Sequence, residues 1–421
     1  MANLDDNVAD IRTSTSRRTK FSRVTGFADR VFAPVFQRRA GPVGLVVVLT
    51  AAGVHAAAHR TAVDLGTLGG TASEAPSISN TGVVVGNSDI AGNAASHGFR
   101  WTEGRGMVDL GTLGGVSSAA TAVSDDGRFV VGSSVTADGR QHAFRWSRKD
   151  GMVDLTPFSW NSTVAAAVGN NGTVAGNSYD PWSGVNRGFV WTERNGMIDL
   201  GTLGGGTATV QAISPSGALV VGDSSLAGEI EVHAFVWTRT RGMTDMGTLG
   251  GRWSYAEAVN DTGKVVGWSS LGMSSLAHAF AWTDSHAIVD LSAPGSGMSR
   301  ATAVNSDGAV AGVRYVPTAN PRVSVSNACI WTSAGEMIAV GTLGGQFSWP
   351  LGFSNNRTMV GLSEMANGST HAFAWSRTHG LVDLSAPTSA YGIARSVSAS
   401  GEWAAGVDDG HATLWRLKKD F

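Results

Sequence analysis

The feature that most constrains this chain is a tryptophan that recurs about every 45 residues from residue 61 onward. Each copy follows an apolar residue and one further residue, and successive copies are 45, 45, 46, 45, 49, 44 and 40 residues apart. The eight copies are Trp101, Trp146, Trp191, Trp237, Trp282, Trp331, Trp375 and Trp415. Self-similarity at such a period is typical of repeat proteins, so the sequence predicts eight similar structural units.

Two further segments accompany each tryptophan and complete the unit. An apolar segment, in most copies with a central Asp as at 108–110, follows the first seven tryptophans. Five such segments, counting the N-terminal one at 63–65, lead into Gly-Thr-Leu-Gly-Gly. The other segment, such as 78–86, has an Asn-, Asp- or Ser-rich centre and a Gly before the next apolar run. Each unit therefore contains four short apolar segments separated by residues that favour tight turns.

This pattern predicts an all-β fold, an eight-bladed β-propeller with one four-stranded blade per repeat of about 45 residues. Composition agrees, because 56 of the 421 residues are glycine and only 15% are charged, which favours strands and turns over helices with charged faces. We assign residues 59–416 to the propeller and 417–421 to a C-terminal tail.

The two ends of the repeat region complement each other. Trp415 has no Asp-bearing strand after it, whereas residues 62–66 have no tryptophan strand before them. We therefore expect the N-terminal strand to close the ring by pairing with the last blade, with Val63 opposite Trp415. The same register would place Trp101 opposite Val108 and Arg100 opposite Asp109, so that all apolar side chains share one face.

Residues 1–58 differ from the repeats and predict export. Residues 1–40 carry eight basic and four acidic side chains, and the twelve-residue apolar run 43–54 precedes a string of alanines. Such a run is too short for a membrane helix but fits the apolar core of a secretory signal. An extended signal, a start codon assigned too early and an uncleaved N-terminal anchor all remain open. The predicted location is extracellular or periplasmic, with no membrane span beyond that anchor.

Charge and cysteine content exclude several classes of partner. Beyond residue 58 the formal net charge is −6 and basic residues form no cluster, so nucleic acid is not an expected partner. Cys329 is the only cysteine, which excludes a disulfide scaffold and thiolate metal clusters. We expect a monomer without cofactor or metal.

A motif in the predicted third strand resembles that of a known protein family. His-Ala-Phe followed by a tryptophan two residues later occurs at 142–146, 233–237, 278–282 and 371–375, alongside the Gly-Thr-Leu-Gly-Gly segments. The sequence thereby resembles the HAF-repeat family of bacterial extracellular repeat proteins over nearly the whole region after residue 58. That resemblance implies export and a repeat architecture, but it implies no particular activity.

None of the repeated polar residues predicts catalysis. The six histidines at equivalent positions belong to different blades, so they cannot meet at one metal ion and are expected to form local hydrogen bonds. The Gly-Thr-Leu-Gly-Gly segments open no helix and so do not fit a phosphate cradle. The Asn- and Asp-rich loops fit turns better than calcium sites, and Cys329 fits a small core position.

The candidate binding site comes from aromatic residues outside the repeat pattern. They lie in the connections between second and third strands and at the start of the innermost strands, two regions that a propeller places on one face. We predict that this face binds a ligand through Trp160, Tyr179, Trp182, Trp253, Tyr255, Phe347 and Trp349. The alternative is that these rings only fill a wide central channel.

Three functions remain compatible with the sequence. The first is a secreted or cell-surface binding scaffold for a glycan or a surface protein. The second is a carbohydrate-active hydrolase or lyase, which requires paired carboxylates on the channel, where only Glu74 and Glu257 could be placed. The third is a purely structural surface repeat protein.

Overall fold

Short antiparallel strands dominate the computed structural model, which describes residues 60–156, 162–180, 183–272, 276–292, 297–317 and 325–417. The described strands all belong to one compact unit, His55–Phe421. The described residues contain one short 3-10 helix, Ala91–Asn93. The predicted all-β class is therefore confirmed.

The first half of the chain forms strand β1 and four sheets of four strands. The strands are β1 (Arg60–Asp64); β2 (Gly69–Ile78), β3 (Val84–Ile90), β4 (Ser96–Thr102) and β5 (Gly106–Asp109) in sheet 1; β6 (Gly114–Val123), β7 (Phe129–Thr136), β8 (Gln141–Ser147) and β9 (Gly151–Asp154) in sheet 2; β10 (Ser162–Val168), β11 (Val174–Tyr179), β12 (Asn186–Thr192) and β13 (Gly196–Asp199) in sheet 3; and β14 (Gly204–Ile213), β15 (Val220–Leu226), β16 (Val232–Thr238) and β17 (Gly242–Asp245) in sheet 4.

The second half repeats this pattern four more times. The strands are β18 (Ser254–Val259), β19 (Val265–Ser270), β20 (Ala277–Thr283) and β21 (His286–Asp290) in sheet 5; β22 (Ser299–Val304), β23 (Val310–Val316), β24 (Val325–Trp331) and β25 (Met337–Gly341) in sheet 6; β26 (Gly344–Phe353), β27 (Met359–Met365), β28 (Thr370–Ser376) and β29 (Gly380–Asp383) in sheet 7; and β30 (Gly392–Val397), β31 (Trp403–Asp408) and β32 (His411–Leu417) in sheet 8.

Strand β1 completes sheet 8, whose order is β1-β32-β31-β30. The N-terminal strand thus pairs with the C-terminal strand, as the complementary chain ends predict, and β32 extends to Leu417, one residue beyond the predicted boundary. Sheets 6 and 7 are joined by a single parallel bridge between Ser326 and Phe347. In every sheet the pairing register between the first and second strands shifts within the first strand, at a β-bulge or a similar irregularity.

The hydrophobic core lies between consecutive sheets. One cluster, for example, joins Val221 and Met246 of sheet 4 to Val265, Phe280 and Trp282 of sheet 5. Seven of the eight repeat tryptophans are buried and the other, Trp146, is half-buried, which confirms them as packing residues. The apolar face of each sheet is therefore covered by its neighbour, as layered β architectures require.

Sheets 8 and 1 contact each other in the same way as neighbours in sequence. Leu65 and Leu414 share a cluster with Ala75 and Phe99, and the Ala412 amide donates to the Ser73 hydroxyl at 2.8 Å. The first strand of each sheet contacts the first strand of the next, and β30 likewise contacts β2.

The predicted register of the third and fourth strands is wrong by one residue. Trp101 lies opposite Met107 and Arg100 opposite Val108, while Ala62 lies opposite Trp415. The hairpin loop, which closes with Thr102 opposite Gly106, fits this register but does not cause it alone, because β1 and β32 share it without a connecting loop. Both kinds of pair have the same cross-strand bond between His and Asp, His97–Asp109 and His411–Asp64, which the predicted register did not include. The predicted pairing of Arg100 with Asp109 therefore does not form. The buried Arg145 guanidinium lies 4.7 Å from the Trp191 ring.

Candidate ligand-binding face

Histidine–aspartate pairs fix the third strand to the loop that leaves the fourth strand. In sheet 1, His97 Nδ1 lies 2.8 Å from one Asp109 oxygen, and the other oxygen accepts the Gly111 amide at 2.7 Å. The pairs are His97–Asp109, His142–Asp154, His233–Asp245, His278–Asp290, His371–Asp383 and His411–Asp64. These bonds confirm the predicted local hydrogen bonding of the histidines, and the partner in each pair is an aspartate.

The sequence contained a signal for these pairs. Within each of the first seven units the two positions are 12 residues apart, and they vary together. Sheet 3 replaces His by Arg187, whose Nε lies 3.2 Å from Asp199, and sheet 6 has Asn327 and Ala339 instead of His and Asp.

Backbone amides of the Gly-Thr-Leu-Gly-Gly loops already donate hydrogen bonds to side chains of the protein. In the first copy the amides of Gly66, Leu68 and Gly69 donate to side-chain oxygens at 2.8, 2.8 and 3.2 Å. Each loop then runs directly into a first strand or, for the copy at 247–251, into a short bend before it. The loops are therefore strand connectors whose amides are occupied, which agrees with the prediction that they do not cradle phosphate.

The start of each first strand lies beside the loop between the second and third strands, as predicted for one face. In sheet 5, Ser270 donates its amide to the Trp253 carbonyl at 2.8 Å, and Val232 of sheet 4 bridges to Trp253 from the other side. Trp253 is 41% exposed, and Tyr179 at the end of β11 is 47% exposed. Trp160 and Trp182 lie outside the described residues.

Tyr391 occupies the position equivalent to Trp253 in sheet 8 and is 49% exposed. Its carbonyl accepts the Asp409 amide at 2.8 Å, and Thr370 of sheet 7 bridges to it. Met298 and Phe347 occupy the same position in sheets 6 and 7, where both are half-buried. Sequence reasoning missed Tyr391 and Met298. We call Trp253, Met298, Phe347 and Tyr391 the apolar arc.

A second group of predicted residues forms a stacked cluster two residues further along the first strands. Tyr255 stacks on Trp268 with ring centroids 4.3 Å apart, and the Arg300 guanidinium lies 4.7 Å from the Trp268 ring and 5.9 Å from that of Trp349. Glu257 accepts hydrogen bonds from Trp268 Nε1 and from Arg300, each at 3.2 Å. This cluster spans sheets 5 to 7 and is cross-linked by its own charges and rings.

Glu257 and Glu74, the two carboxylates that an enzyme would require, each pair with an arginine of another sheet. Glu257 binds Arg300, and Glu74 lies 3.7 Å from Arg395 and 3.3 Å from the Asn87 amide group. A third acidic residue, Asp223 on β15, was not predicted, because it lies on a second strand. Among the described residues, no group of three His, Cys, Asp or Glu side chains could hold a metal ion.

Asp223 has an unusual protonation equilibrium. Burial, reinforced by the nearby Glu257 carboxylate and opposed by a hydrogen bond from Gln211, raises the pKa of its carboxyl to about 7. Burial, reinforced by the charge of Asp223, also raises the pKa of the Tyr255 phenol. Asp223 therefore exchanges its proton near neutral pH at the edge of the stacked cluster.

Replacing Asp223 by Asn will stabilise the fold at alkaline pH. A raised pKa means that the folded state disfavours the carboxylate, so wild-type stability is complete below the unfolded value of 3.8 and falls as pH rises through 7. We expect Asp223→Asn to gain about 1–2 kcal/mol at pH 8, since the side chain keeps some exposure, and much less at pH 4. Urea unfolding at pH 4, 6 and 8 measures this gain, and a gain independent of pH would show that Asp223 stays ionised.

Cys329 occupies the core position that phenylalanine fills in most sheets. It is fully buried in a cluster with Val310 and Trp331, and burial raises the pKa of its thiol to about 12. It is a packing residue, as predicted, and its thiolate is not accessible for chemistry.

Comparison with known proteins defines the fold class. No family model and no curated protein matches the sequence. Several solved structures match at low identity. A prolyl endopeptidase matches with 12% identity and a TM-score of 0.51, over 74% of this chain and 49% of that chain. The β-propeller domain of the Trilobed protease from Pyrococcus furiosus matches with 9% identity, a TM-score of 0.49 and coverages of 76% and 99%, and TolB from Acinetobacter baumannii with 13% identity, a TM-score of 0.39 and coverages of 69% and 64%. The chain spans about half the length of the prolyl endopeptidase chain it matches. At such identities the likeness concerns the fold alone. Together with the face-to-face four-stranded sheets, it defines an all-β protein of the β-propeller class.

None of the helices in the described part of the chain is long and apolar enough to cross a membrane.

Proposed function

We propose that this protein is an exported, closed eight-bladed β-propeller that binds carbohydrate on the face bearing the apolar arc. The observation that carries the proposal is the exposure of aromatic rings, above all Trp253 and Tyr391, at equivalent positions of that face. Flat rings pack against the apolar faces of sugars at a low entropic cost.

Contacts between the first and last sheets support ring closure. Strand β1 pairs with β32, the cluster around Leu65 and Phe99 joins sheets 8 and 1, and Asn80 accepts the Ala399 amide. A ring without open ends also leaves no unpaired face that would expose apolar side chains.

Export and membership of the HAF-repeat family are proposed on the sequence alone. The basic and apolar pattern of residues 1–58 supports export, and the His-Ala-Phe motifs support the family. The structure adds a physical reason for that motif: the His binds the Asp of the next strand, and the Phe fills the core, as His142 and Phe144 do in sheet 2.

The polar surroundings fit hydroxyl groups. Loops of the sheets that form the apolar arc present acidic side chains, among them Glu364 and Asp409, which bond to backbone amides at the start of the first strands. Groups of this kind beside exposed rings are what a neutral polyol ligand requires.

A carbohydrate-active enzyme is the second candidate, and Asp223 is the observation that favours it. A carboxyl with a pKa near 7 can act as a general acid, and the Glu257 carboxylate lies close enough to influence it. Because Arg300 and Trp268 already bind Glu257, we rank hydrolysis below binding. Release of new reducing ends from a bound polysaccharide would reverse this order.

Retention of the purified protein on insoluble cellulose, chitin, starch or β-1,3-glucan tests the proposal. We expect at least one of these polysaccharides to be bound, and Trp253→Ala to weaken that binding at least about fivefold, since an aromatic contact contributes about 1 kcal/mol.

The matched control is Val116→Ala. Val116 is 73% exposed at the start of β6 in sheet 2, outside the apolar arc, so its loss should leave binding unchanged. Both variants must melt like the wild type. A failure to bind any of the four polysaccharides would leave the third function, a purely structural repeat, as the better description.

A further inference from the structure

The apolar arc is confined to one half of the sheets. Trp253, Met298, Phe347 and Tyr391 occupy one equivalent position in the four consecutive sheets 5 to 8. At that position sheets 1 to 4 carry Ala72, Ser117, Ser162 and Thr207. A ligand that uses the arc therefore lies along sheets 5 to 8 and not around the whole face.

Backbone bonds show that the four positions are geometrically equivalent. The carbonyls of Trp253 and Met298 accept amides of their second strands at 2.8 and 2.7 Å, and the Tyr391 carbonyl accepts the amide of Asp409, just after its second strand, at 2.8 Å. The Phe347 carbonyl accepts the Ser363 hydroxyl at 3.0 Å, as the Trp253 carbonyl accepts that of Ser269 at 3.1 Å. The four side chains consequently leave the sheets from one repeated backbone geometry.

The spacing of packed sheets sets the length of the ligand. Sheets packed face to face lie about 10 Å apart, so four consecutive positions extend over roughly 30 Å. A monosaccharide or disaccharide can contact one or two of these side chains at most. Contact with three or four requires an extended chain of several sugar residues.

The charge beside the arc favours a neutral chain. Two carboxylates bond to backbone amides of the arc segments: Glu364 accepts from Gln346 at 2.6 Å, and Asp409 accepts from Ala390 at 2.8 Å and from Tyr391 at 3.3 Å. These carboxylates hold the segments in place, and the arc itself presents rings and a thioether without a charge.

We propose that the apolar arc binds one extended neutral oligosaccharide that runs along the whole arc and contacts all four sheets, 5 to 8. The inference rests on the proposed carbohydrate binding and specifies its ligand as a chain and its site as a row of repeated subsites. A chain that gains contacts one after another binds more tightly with length until it covers the row.

Titration calorimetry with oligosaccharides of one to six residues tests this inference on the full-length protein. The probes are the cello-, chito-, malto- and laminari-oligosaccharides, which correspond to the four polysaccharides above. For the series that binds, we expect the hexasaccharide to bind at least tenfold more tightly than the disaccharide.

Two variants at opposite ends of the arc locate the chain. Trp253→Ala and Tyr391→Ala should each weaken hexasaccharide binding, and the double variant should reduce it to the affinity of the wild type for the disaccharide. Val116→Ala is the control, and all three substituted residues are exposed, so folding should be retained.

The outcomes separate the two proposals. Equal affinities for the disaccharide and hexasaccharide, or hexasaccharide binding that depends on Trp253 but not Tyr391, would overturn the extended site and leave carbohydrate binding standing. Absence of binding in every series would overturn both.

Discussion

A chain that begins at residue 67 will melt well below a chain that begins at residue 59. The missing segment contains strand β1, which pairs with β32 through Ala62 and Trp415 and donates the Leu65 amide to the Ala412 carbonyl at 2.9 Å. It also contains Asp64, the partner of His411 at 2.8 Å. Without it, the last sheet has three strands and the edge of β32 is exposed to solvent.

The size of the expected drop in melting temperature follows from the side chains that become exposed to solvent. Trp415 is fully buried in the intact structure, and Leu65 joins the cluster between sheets 8 and 1. Loss of comparable buried side chains costs about 3–5 kcal/mol, to which the lost strand pairing adds. We expect a drop in Tm of several degrees or a failure to fold.

Differential scanning calorimetry of the two truncated chains measures this difference. The chain from residue 59 is the matched control, because it also lacks the N-terminal segment but keeps β1. Equal melting temperatures would mean that the pairing of the chain ends contributes nothing to stability, and ring closure would then lose its main support.

The sequence predicted the strands because every unit repeats the same turn chemistry. The recurrence of Asn, Asp or Ser before Gly, and of tryptophan at a constant interval, located four strands per unit without knowledge of tertiary contacts. The burial of the tryptophans also followed from their shared face. Trp146 alone is half-buried, and the Arg100 guanidinium lies 6.0 Å from its ring.

The register could not be predicted from the apolar pattern. Placing Trp101 opposite Val108 satisfied the alternation of side chains, yet the pairing is shifted by one both in this hairpin, with its three-residue loop before Gly106, and in the loop-free pair of β1 and β32. Gly106 adopts a φ of 67°, a conformation that favours glycine, and a turn of this kind overrides side-chain preference in a short hairpin. The sequence did contain the missing information, in the constant separation of His and Asp.

The candidate site was predicted in part. Trp253 and Tyr255 were identified because large aromatic residues interrupt a run of small ones. Tyr391 was missed because its unit has a different preceding loop, which obscures the alignment with Trp253. Asp223 could not be identified, since its raised pKa arises from burial and from Glu257 of the next sheet, and neither is visible in a local pattern.

Each of the eight repeats has a glycine at the same position of its second strand, and there is no space for a side chain at that position. Gly222 on β15 follows two valines, and a Cβ built on it would lie closer than 3.0 Å to the carbonyl oxygen of Thr209 on the neighbouring first strand. The same approach occurs at Gly86, Gly132, Gly176, Gly267, Gly312, Gly361 and Gly406. The irregularity in each first strand lies next to this carbonyl, so the close approach is part of the repeat itself.

Gly222→Ala will therefore destabilise the protein by several kcal/mol or prevent folding, because the obstacle is backbone and cannot rotate away. Gly104→Ala is the matched control: Gly104 lies in the exposed loop between β4 and β5, has no atom within 4 Å of an added Cβ and needs no positive φ. Denaturant unfolding of both variants compares the two sites. If Gly222→Ala unfolds at the same denaturant concentration as Gly104→Ala, the first strand can move away from the second, and the strand irregularity does not fix the spacing of the two strands.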